Sequence, residues 1–311
     1  MHADRPLSYS QNMEDYHLHL AFGGKPGGTY IDIGGGHPVA GSASFWFYER
    51  GWQGVVVEPQ SDLAELHRRL RPRDTIVEAV IGQSSGTMEF FKVDRFHALS
   101  TTVKGNAEAA RTHGVAVEPM TLPSISLADL CRSHALASVD FLKVDVEGAE
   151  RDVLLGADWS FCRPGVIVLE AISPGTNEPA WSEWEPLLLE QNYEFALFDT
   201  LNRFYVAAER ADLLKQMPRE RAPWESVTHM YEIGLAPENA NHPDFTLAAE
   251  LARGFWASLP LLDPSLLAKI LARGRNGEGV ENEELLQFVR SQAFLASLGR
   301  IACGYDGGFI P

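Results

Sequence analysis

From Thr29 to about Ala208 the chain alternates short apolar runs with amphipathic stretches. Thr29–Ile33, Gly54–Glu58, Thr75–Val80, Asp140–Asp145 and Gly165–Glu170 are brief and rich in valine and isoleucine, as buried parallel strands are. Between them, Ser42–Arg50, Asp62–Leu70, Ile125–His134 and Ala149–Leu155 carry helical spacing. This alternation predicts an α/β fold, a doubly wound Rossmann-like sheet covered on both faces. Met88–Lys92 reads as an extra strand after the turn at Ser84-Ser85-Gly86. Trp181–Gln191 reads as a helix, and then Glu194–Phe198 and Arg203–Ala207 read as strands. The gap Asp199–Asn202 suits a hairpin, so the sheet is expected to end in an antiparallel pair.

After Arg210 valine and isoleucine become scarce. Thr246–Leu259, Pro264–Leu271 and Glu283–Leu298 predict three amphipathic helices, with a Gly-rich turn at Gly274–Gly279. The expected organisation is a catalytic domain over 1–210, a linker over 211–236 and a helical C-terminal extension over 237–311.

Composition narrows the function. The 311 residues carry 42 Asp plus Glu against 26 Lys plus Arg, a formal charge of −16. Such a surface repels phosphate backbones, which argues against a nucleic-acid partner. Three dispersed cysteines (Cys131, Cys162 and Cys303) fit neither a disulfide framework nor a structural zinc site. The N-terminus lacks an apolar leader, and no apolar run reaches the ~20 residues that cross a bilayer. A cytoplasmic protein with no transmembrane segment is the expectation.

Two motifs carry chemistry. In Tyr30-Ile31-Asp32-Ile33-Gly34-Gly35-Gly36-His37-Pro38 a buried strand runs into three glycines, which let a ligand rest against bare peptide groups. The next strand ends in Glu58, placed to accept both hydrogen bonds of a ribose diol. NAD and S-adenosylmethionine share that diol, but the glycine spacing separates them. Counting from Gly34 and Gly36, the third glycine of a dinucleotide fingerprint would fall at Val39, and Pro38 removes an amide donor. A pyrophosphate is disfavoured. Asp32, inside the strand, is suited to orienting the loop or the cofactor's amino group.

The second motif, Phe141-Leu142-Lys143-Val144-Asp145-Val146-Glu147-Gly148-Ala149-Glu150, carries carboxylates to the end of another strand. Asp145, Glu147 and, from the following strand, Glu170 converge on one edge, where they repel unless a proton, a cation or hydrogen bonds relieve them.

Together these stretches resemble the FkbM family of methyltransferases. The resemblance also rests on Tyr9-Ser10-Gln11, Glu14-Asp15, Phe47-Tyr48-Glu49-Arg50-Gly51-Trp52, Glu58-Pro59, Leu99-Ser100-Thr101, Leu169-Glu170-Ala171, Glu183-Trp184-Glu185-Pro186-Leu187-Leu188 and Asp199-Thr200-Leu201-Asn202-Arg203-Phe204-Tyr205, in order over about residues 8–208. Gly35-Gly36 stands where Ala-Asn or Ala-Gly is usual, and Thr200 where glycine is expected. The resemblance implies a class I methyltransferase fold with its terminal antiparallel hairpin, S-adenosylmethionine as donor, and O-methylation of a sugar hydroxyl on a glycan or glycosylated metabolite. It does not cover the C-terminal helices. A glycan-assembly setting, with a glycosyltransferase or a second copy as partner, fits that segment.

Within this frame the cofactor-binding candidates are Gln11, Asp32, Gly34, Gly36, Glu58 and Asp145. His37, at the mouth of the loop, is the first candidate for the base that takes the hydroxyl proton, with Asp145 and Glu147 as alternatives. Ser100, Glu170, Asn202, Arg203 and Tyr205 are the acceptor-binding candidates; His97 and Thr101 lie beside Ser100, and Tyr9, Gln11 and Glu14 are placed to fold over the cofactor. A divalent cation on Asp145, Glu147 and Glu170 stays open. So do a non-catalytic cofactor-binding module and an NAD-dependent oxidoreductase.

Overall fold

A computed structural model describes residues 5–93, 99–112, 114–173, 178–230, 240–241, 244–273 and 283–305. The chain divides into two compact units, Met1–Tyr231 and Glu232–Pro311. In the first, the described residues form these strands in chain order: β1 Leu7–Ser8, β2 Thr29–Ile33, β3 Gln53–Val57, β4 Thr75–Val77, β5 Val80–Gly82, β6 Gly86–Val93, β7 Val117–Ser126, β8 Phe141–Val144, β9 Val166–Glu170, β10 Tyr193–Phe198, β11 Asn202–Ala207 and β12 Thr228–His229. Its helices are α1 Glu14–Phe22, α2 Phe45–Glu49, α3 Ser61–Leu70, α4 Lys104–Thr112, α5 Leu127–Ser133, α6 Glu150–Leu155, α7 Glu185–Glu190 and α8 Ala211–Gln216.

The main sheet has the order β10-β11-β9-β8-β2-β3-β4. Only β11 breaks the parallel run, pairing antiparallel with both β9 and β10. This is the class I methyltransferase arrangement, terminal hairpin included. Alternation along the strands splits the core in two. Ile31, Ile33, Val55, Val57, Leu142, Val144, Ile167 and Leu169 pack with Leu127, Leu130, Val153, Leu154 and Leu188 of α5, α6 and α7. Tyr30, Val56, Phe141, Val166, Val168 and Phe204 pack with Leu18, Phe22, Trp46, Phe47 and Leu213 of α1, α2 and α8. Burial of each large apolar side chain contributes about 1.5–3 kcal/mol relative to exposure.

Register is what builds the site. Ile33 stands opposite Val57 on one side and Val144 on the other, and Val144 stands opposite Leu169. Gly34, Glu58, Asp145 and Glu170 are the next residues along, so they leave the sheet in one row at its carboxyl edge, with Asn202 paired to Glu170.

Several expectations are corrected. Thr75–Val80 is two strands: β4 ends the main sheet, while β5 pairs with β7 in a separate three-stranded sheet of order β5-β7-β6. The strand foreseen at Met88–Lys92 is β6, antiparallel to β7. β7 takes Ile125 and Ser126 from the expected helix; Ser126 then caps α5 by accepting from the Asp129 amide at 3.1 Å. The expected helix Trp181–Gln191 is a 3₁₀ turn, Trp181–Glu183, followed by α7, which has Pro186 in its first turn. The segment read as linker starts with α8, which packs on α1 and buries Leu213 and Met217. In the second unit, Glu283–Leu298 is divided into Glu283–Val289 and Gln292–Tyr305, because the Ser291 hydroxyl accepts from the Phe294 amide at 3.2 Å and starts a new helix. With Phe245–Ser258 and Pro264–Arg273 they enclose Leu259, Leu267, Val289 and Leu298. Among the described residues no helix is long and apolar enough to cross a membrane.

Candidate active site

A cavity of about 370 Å³ opens on the carboxyl edge, bounded on one side by the glycine loop and on the other by the carboxylates. The Gly34 and Gly35 amides both donate to the Val57 carbonyl, at 3.0 and 3.1 Å, tying the loop to the end of β3. Gly34 has φ +80°, and a Cβ there would lie 1.7 Å from the Asp145 carbonyl oxygen. Only glycine lets the loop pass this close to β8. A Cβ on Gly36 would meet nothing within 4 Å, so open space lies beside the backbone where a ligand can sit. The Gly36 amide donates to Glu58 Oε2 at 2.8 Å, and the Gln60 amide to Glu58 Oε1 at 2.8 Å. Burial raises the Glu58 carboxyl to about 7, although both amides pull the other way.

Three buried groups support the loop from beneath. Ser44 donates to Asp32, whose pKa burial raises, and Asp32 is not among the residues that line the cavity. Arg71, fully buried against Asp74, donates to Ser44 at 2.8 Å and to the Pro38 carbonyl at 3.2 Å. His67 lies 3.0 Å from the Gly36 carbonyl through Nε2; burial lowers its pKa to about 4, so the neutral ring donates there. None of this support was foreseen beyond Asp32; His67 lies within, and Arg71 directly after, the stretch Asp62–Leu70 that carries helical spacing.

His37 lines the cavity, but its Nδ1 accepts from the Val39 and Ala40 amides at 3.1 and 3.0 Å. The ring proton therefore belongs on Nε2, which makes the imidazole a donor and not a base. Gln11 also lines the cavity, at the end of an N-terminal strap. Ser10 bridges to Gly41, and the buried Asp15 carboxylate accepts from Ser8 at 2.7 Å, Ser10 at 2.8 Å and the Tyr9 amide at 2.7 Å.

Across the cavity, Asp145, Glu147 and Glu170 offer oxygens that all lie within 4.8 Å of one another. Lys143, on the opposite face of β8 from Val144, donates to Asp145 at 3.0 Å and to Asn202 Oδ1 at 3.1 Å. Asn202 in turn donates to Glu14 at 2.9 Å. Burial would lower the lysine, but Asp145, Glu14 and Glu170 overcome it and hold the ammonium charged. One cation does not neutralise three carboxylates. Burial first, then Asp145 and its neighbours, raise Glu147 to about 8 and Glu170 to about 10. Both shifts favour the protonated form. Glu170 Oε2 is buried and has no hydrogen-bond partner among the described residues.

The acceptor candidates separate. Ser100 lines the cavity, its hydroxyl accepting from the Val93 amide at 3.0 Å, and Thr101 lines it too. His97 lies outside the described residues. Asn202 is buried beneath the carboxylates rather than facing the space. Arg203 and Tyr205 do not reach it: both bind Glu185, at 2.6 and 2.8 Å, and Arg203 lies over Phe195 and Trp181. The reason is strand parity, since Arg203 and Tyr205 point to the α7 face.

The family model for the FkbM methyltransferase domain matches residues 32–195. Among solved structures, the chain is similar to a methyltransferase FkbM from Methylobacillus flagellatus at 14% identity and TM-score 0.39, over 65% of this chain and 48% of that one. It thus spans about half the length of that protein. It is also similar to an O-methyltransferase from Bacillus cereus in complex with SAH (12% identity, TM-score 0.33, 64% and 82% covered). The O-methyltransferase TomG from Streptomyces achromogenes, in complex with SAM, gives 12% identity, TM-score 0.29 and 64% and 82% coverage. No curated protein matches the chain.

Proposed function

The chain belongs to the FkbM methyltransferase family, and on that premise we propose that it transfers a methyl group from S-adenosylmethionine to a sugar hydroxyl of a glycan or glycosylated metabolite. The observation that carries this reading is the shared cavity. A bare glycine loop with the Glu58 acceptor borders the same space as Asp145, Glu147 and Glu170. S-adenosylmethionine supplies an activated methyl group whose transfer leaves a neutral thioether. Gly34 and Gly36 give its nucleoside room, and Glu58 is placed to accept from the ribose hydroxyls.

Asp145 is the base. Lys143 donates to one of its oxygens at 3.0 Å, while burial and the neighbouring carboxylates raise Glu147 and Glu170, which suits those two to donating hydrogen bonds to neighbouring acceptor oxygens. As the acceptor oxygen bonds to the methyl carbon, the carbon–sulfur bond breaks and the hydroxyl proton passes to Asp145. General-base help of this kind is worth about 10²–10⁴-fold, and alignment of the reactants contributes more.

A second reading is favoured by the spacing of the three carboxylates: a divalent cation held there would orient a sugar diol. Turnover measured with and without a chelator separates the two. The main test is calorimetry with S-adenosylmethionine, joined to mass spectrometry of glycans from cells with and without the protein, seeking a one-methylene difference. Tight NAD binding with no heat from S-adenosylmethionine would replace the reading with an oxidoreductase. Glycan methylation that survives Asp145→Ala would leave a non-catalytic module.

A further inference from the structure

Glu147 is held in a conformation that its own residue type disfavours. Its φ is +54°, in the left-handed region, and Gly148 follows at +98°. A non-glycine residue persists there only when its surroundings determine it. The surroundings are two side chains from outside the main sheet. The Glu147 carbonyl oxygen accepts from Thr101 Oγ1 at 2.8 Å and from Asn106 Nδ2 at 2.7 Å. Both donors are themselves anchored. Thr101 exchanges two backbone hydrogen bonds with Phe91 of β6, at 2.8 and 3.1 Å, and Asn106 lies in the first turn of α4, its amide bonded to the Val103 carbonyl at 3.1 Å. The Asn106 amide also sits where a Cβ on Gly148 would be, 2.7 Å away. Gly148 is what admits the clamp.

We propose that Thr101 and Asn106 are positioning residues that fix the peptide of Glu147 and so aim its carboxyl into the cavity. The three-stranded sheet and α4, an insertion between β4 and α5, thereby complete the acidic side. The role of Glu147 in the reaction rests on the function proposed above; the clamp itself does not. With the carbonyl released, the peptide is free to relax out of the left-handed region, and the side chain swings toward solvent.

Two experiments on the full chain test this. The first needs no acceptor: NMR couplings and carbon shifts that report the Glu147 backbone φ, in the wild type and in the double variant Thr101→Val, Asn106→Ala, which removes both donors. The wild-type signals are expected to report the left-handed region, and those of the double variant a shift out of it. Unchanged signals overturn the clamp. The second is a cycle of Asn106→Ala, Glu147→Gly and the double variant, read as label transferred from S-adenosylmethionine to the glycan fraction of cells lacking the protein. Asn106→Ala is expected to cost about tenfold in rate with cofactor binding unchanged. Its effect should vanish in the Glu147→Gly background, because a residue that acts through another adds nothing once that one is gone. Multiplying effects overturn the proposal. Full activity of Glu147→Gly sinks the catalytic reading of Glu147 instead, and leaves the backbone signals to judge the clamp.

Discussion

The two sides of the cavity use the same residue type for opposite ends. On the glycine-loop side Glu58 has an amide on each oxygen, from Gly36 and Gln60. On the acidic side Glu170 leaves one buried oxygen without a partner among the described residues, and its neighbours are Asp145 and Glu147. Burial is the largest influence on both, and it raises both. What differs is the second influence. Backbone amides draw Glu58 back to about 7, whereas like charges push Glu170 on to about 10. A carboxylate whose lone pairs are already engaged holds a fixed shape for a ligand to meet. One left unsatisfied among others stores a proton until something arrives to share it.

The sharpest way to break this contrast is to remove the proposed base. Asp145→Asn keeps the size and part of the hydrogen bonding, but it cannot take a proton. Methyl transfer is expected to fall by at least ~100-fold, with S-adenosylmethionine binding within a few fold by calorimetry. A variant that still turns over freely would move the base elsewhere. On the other side, Glu58→Gln is expected to weaken S-adenosylmethionine binding by about tenfold, as loss of a charge-assisted hydrogen bond does. The rate at saturating cofactor should stay close to wild type. If the rate drops and affinity does not, the division of labour between the two sides is wrong.

The third prediction concerns pH. Glu170 is raised in the folded chain from an ordinary value near 4.5 to about 10. Below pH 4.5 it is protonated both folded and unfolded, so it exerts no pH-dependent penalty. As pH rises toward 10, the unfolded chain ionises freely while the folded chain must hold the proton or bury a charge, and stability is progressively lost. Glu170→Gln removes that penalty. Its melting temperature relative to wild type should therefore climb between pH 5 and pH 9, a trend that differential scanning calorimetry can follow. A flat difference would mean that solvent or an ion already relieves the cluster.

Much of this was legible in the sequence, and the reason is local. Gly34, Glu58 and Asp145 each follow a short apolar strand and Glu170 ends another, so parallel pairing brings them together without further information. The pieces that escaped depend on partners far along the chain. Lys143 looks like one more strand residue until Asn202 and Glu14 appear beside it. Arg203 and Tyr205 were assigned to the cavity because the hairpin was foreseen, but its parity was not. The direction of a side chain there is set by pairing with β9, and a one-residue change of register reverses it. β7 was missed because Pro119 and Pro123 and its exposed polar residues break the pattern of a buried strand.

Thr200 offers the finest test, because it separates strain that serves the site from strain that does not. Like Glu147, it is a non-glycine residue in the left-handed region, at φ +86°, and it stands where the family resemblance led us to expect glycine. Unlike Glu147, it is exposed, and among the described residues no side chain clamps its carbonyl. The turn is secured by its neighbour: Asp199 Oδ1 accepts from the Leu201 and Asn202 amides at 2.9 and 2.6 Å. Among the described residues the Thr200 hydroxyl meets only Asn12, at 3.5 Å, and the same Asn12 amide already binds the Asp199 carbonyl at 2.7 Å. Relieving a β-branched residue of this conformation gains about 1–2 kcal/mol, and the greater freedom of unfolded glycine returns roughly 0.5–1 kcal/mol of it. Thr200→Gly is thus expected to stabilise the chain by up to about 1 kcal/mol in urea unfolding, with methyl transfer unaltered. Destabilisation would show that the long contact to Asn12 matters more than the backbone. A fall in rate would show that the hairpin's strain reaches Asn202 and, through Lys143, the acidic side.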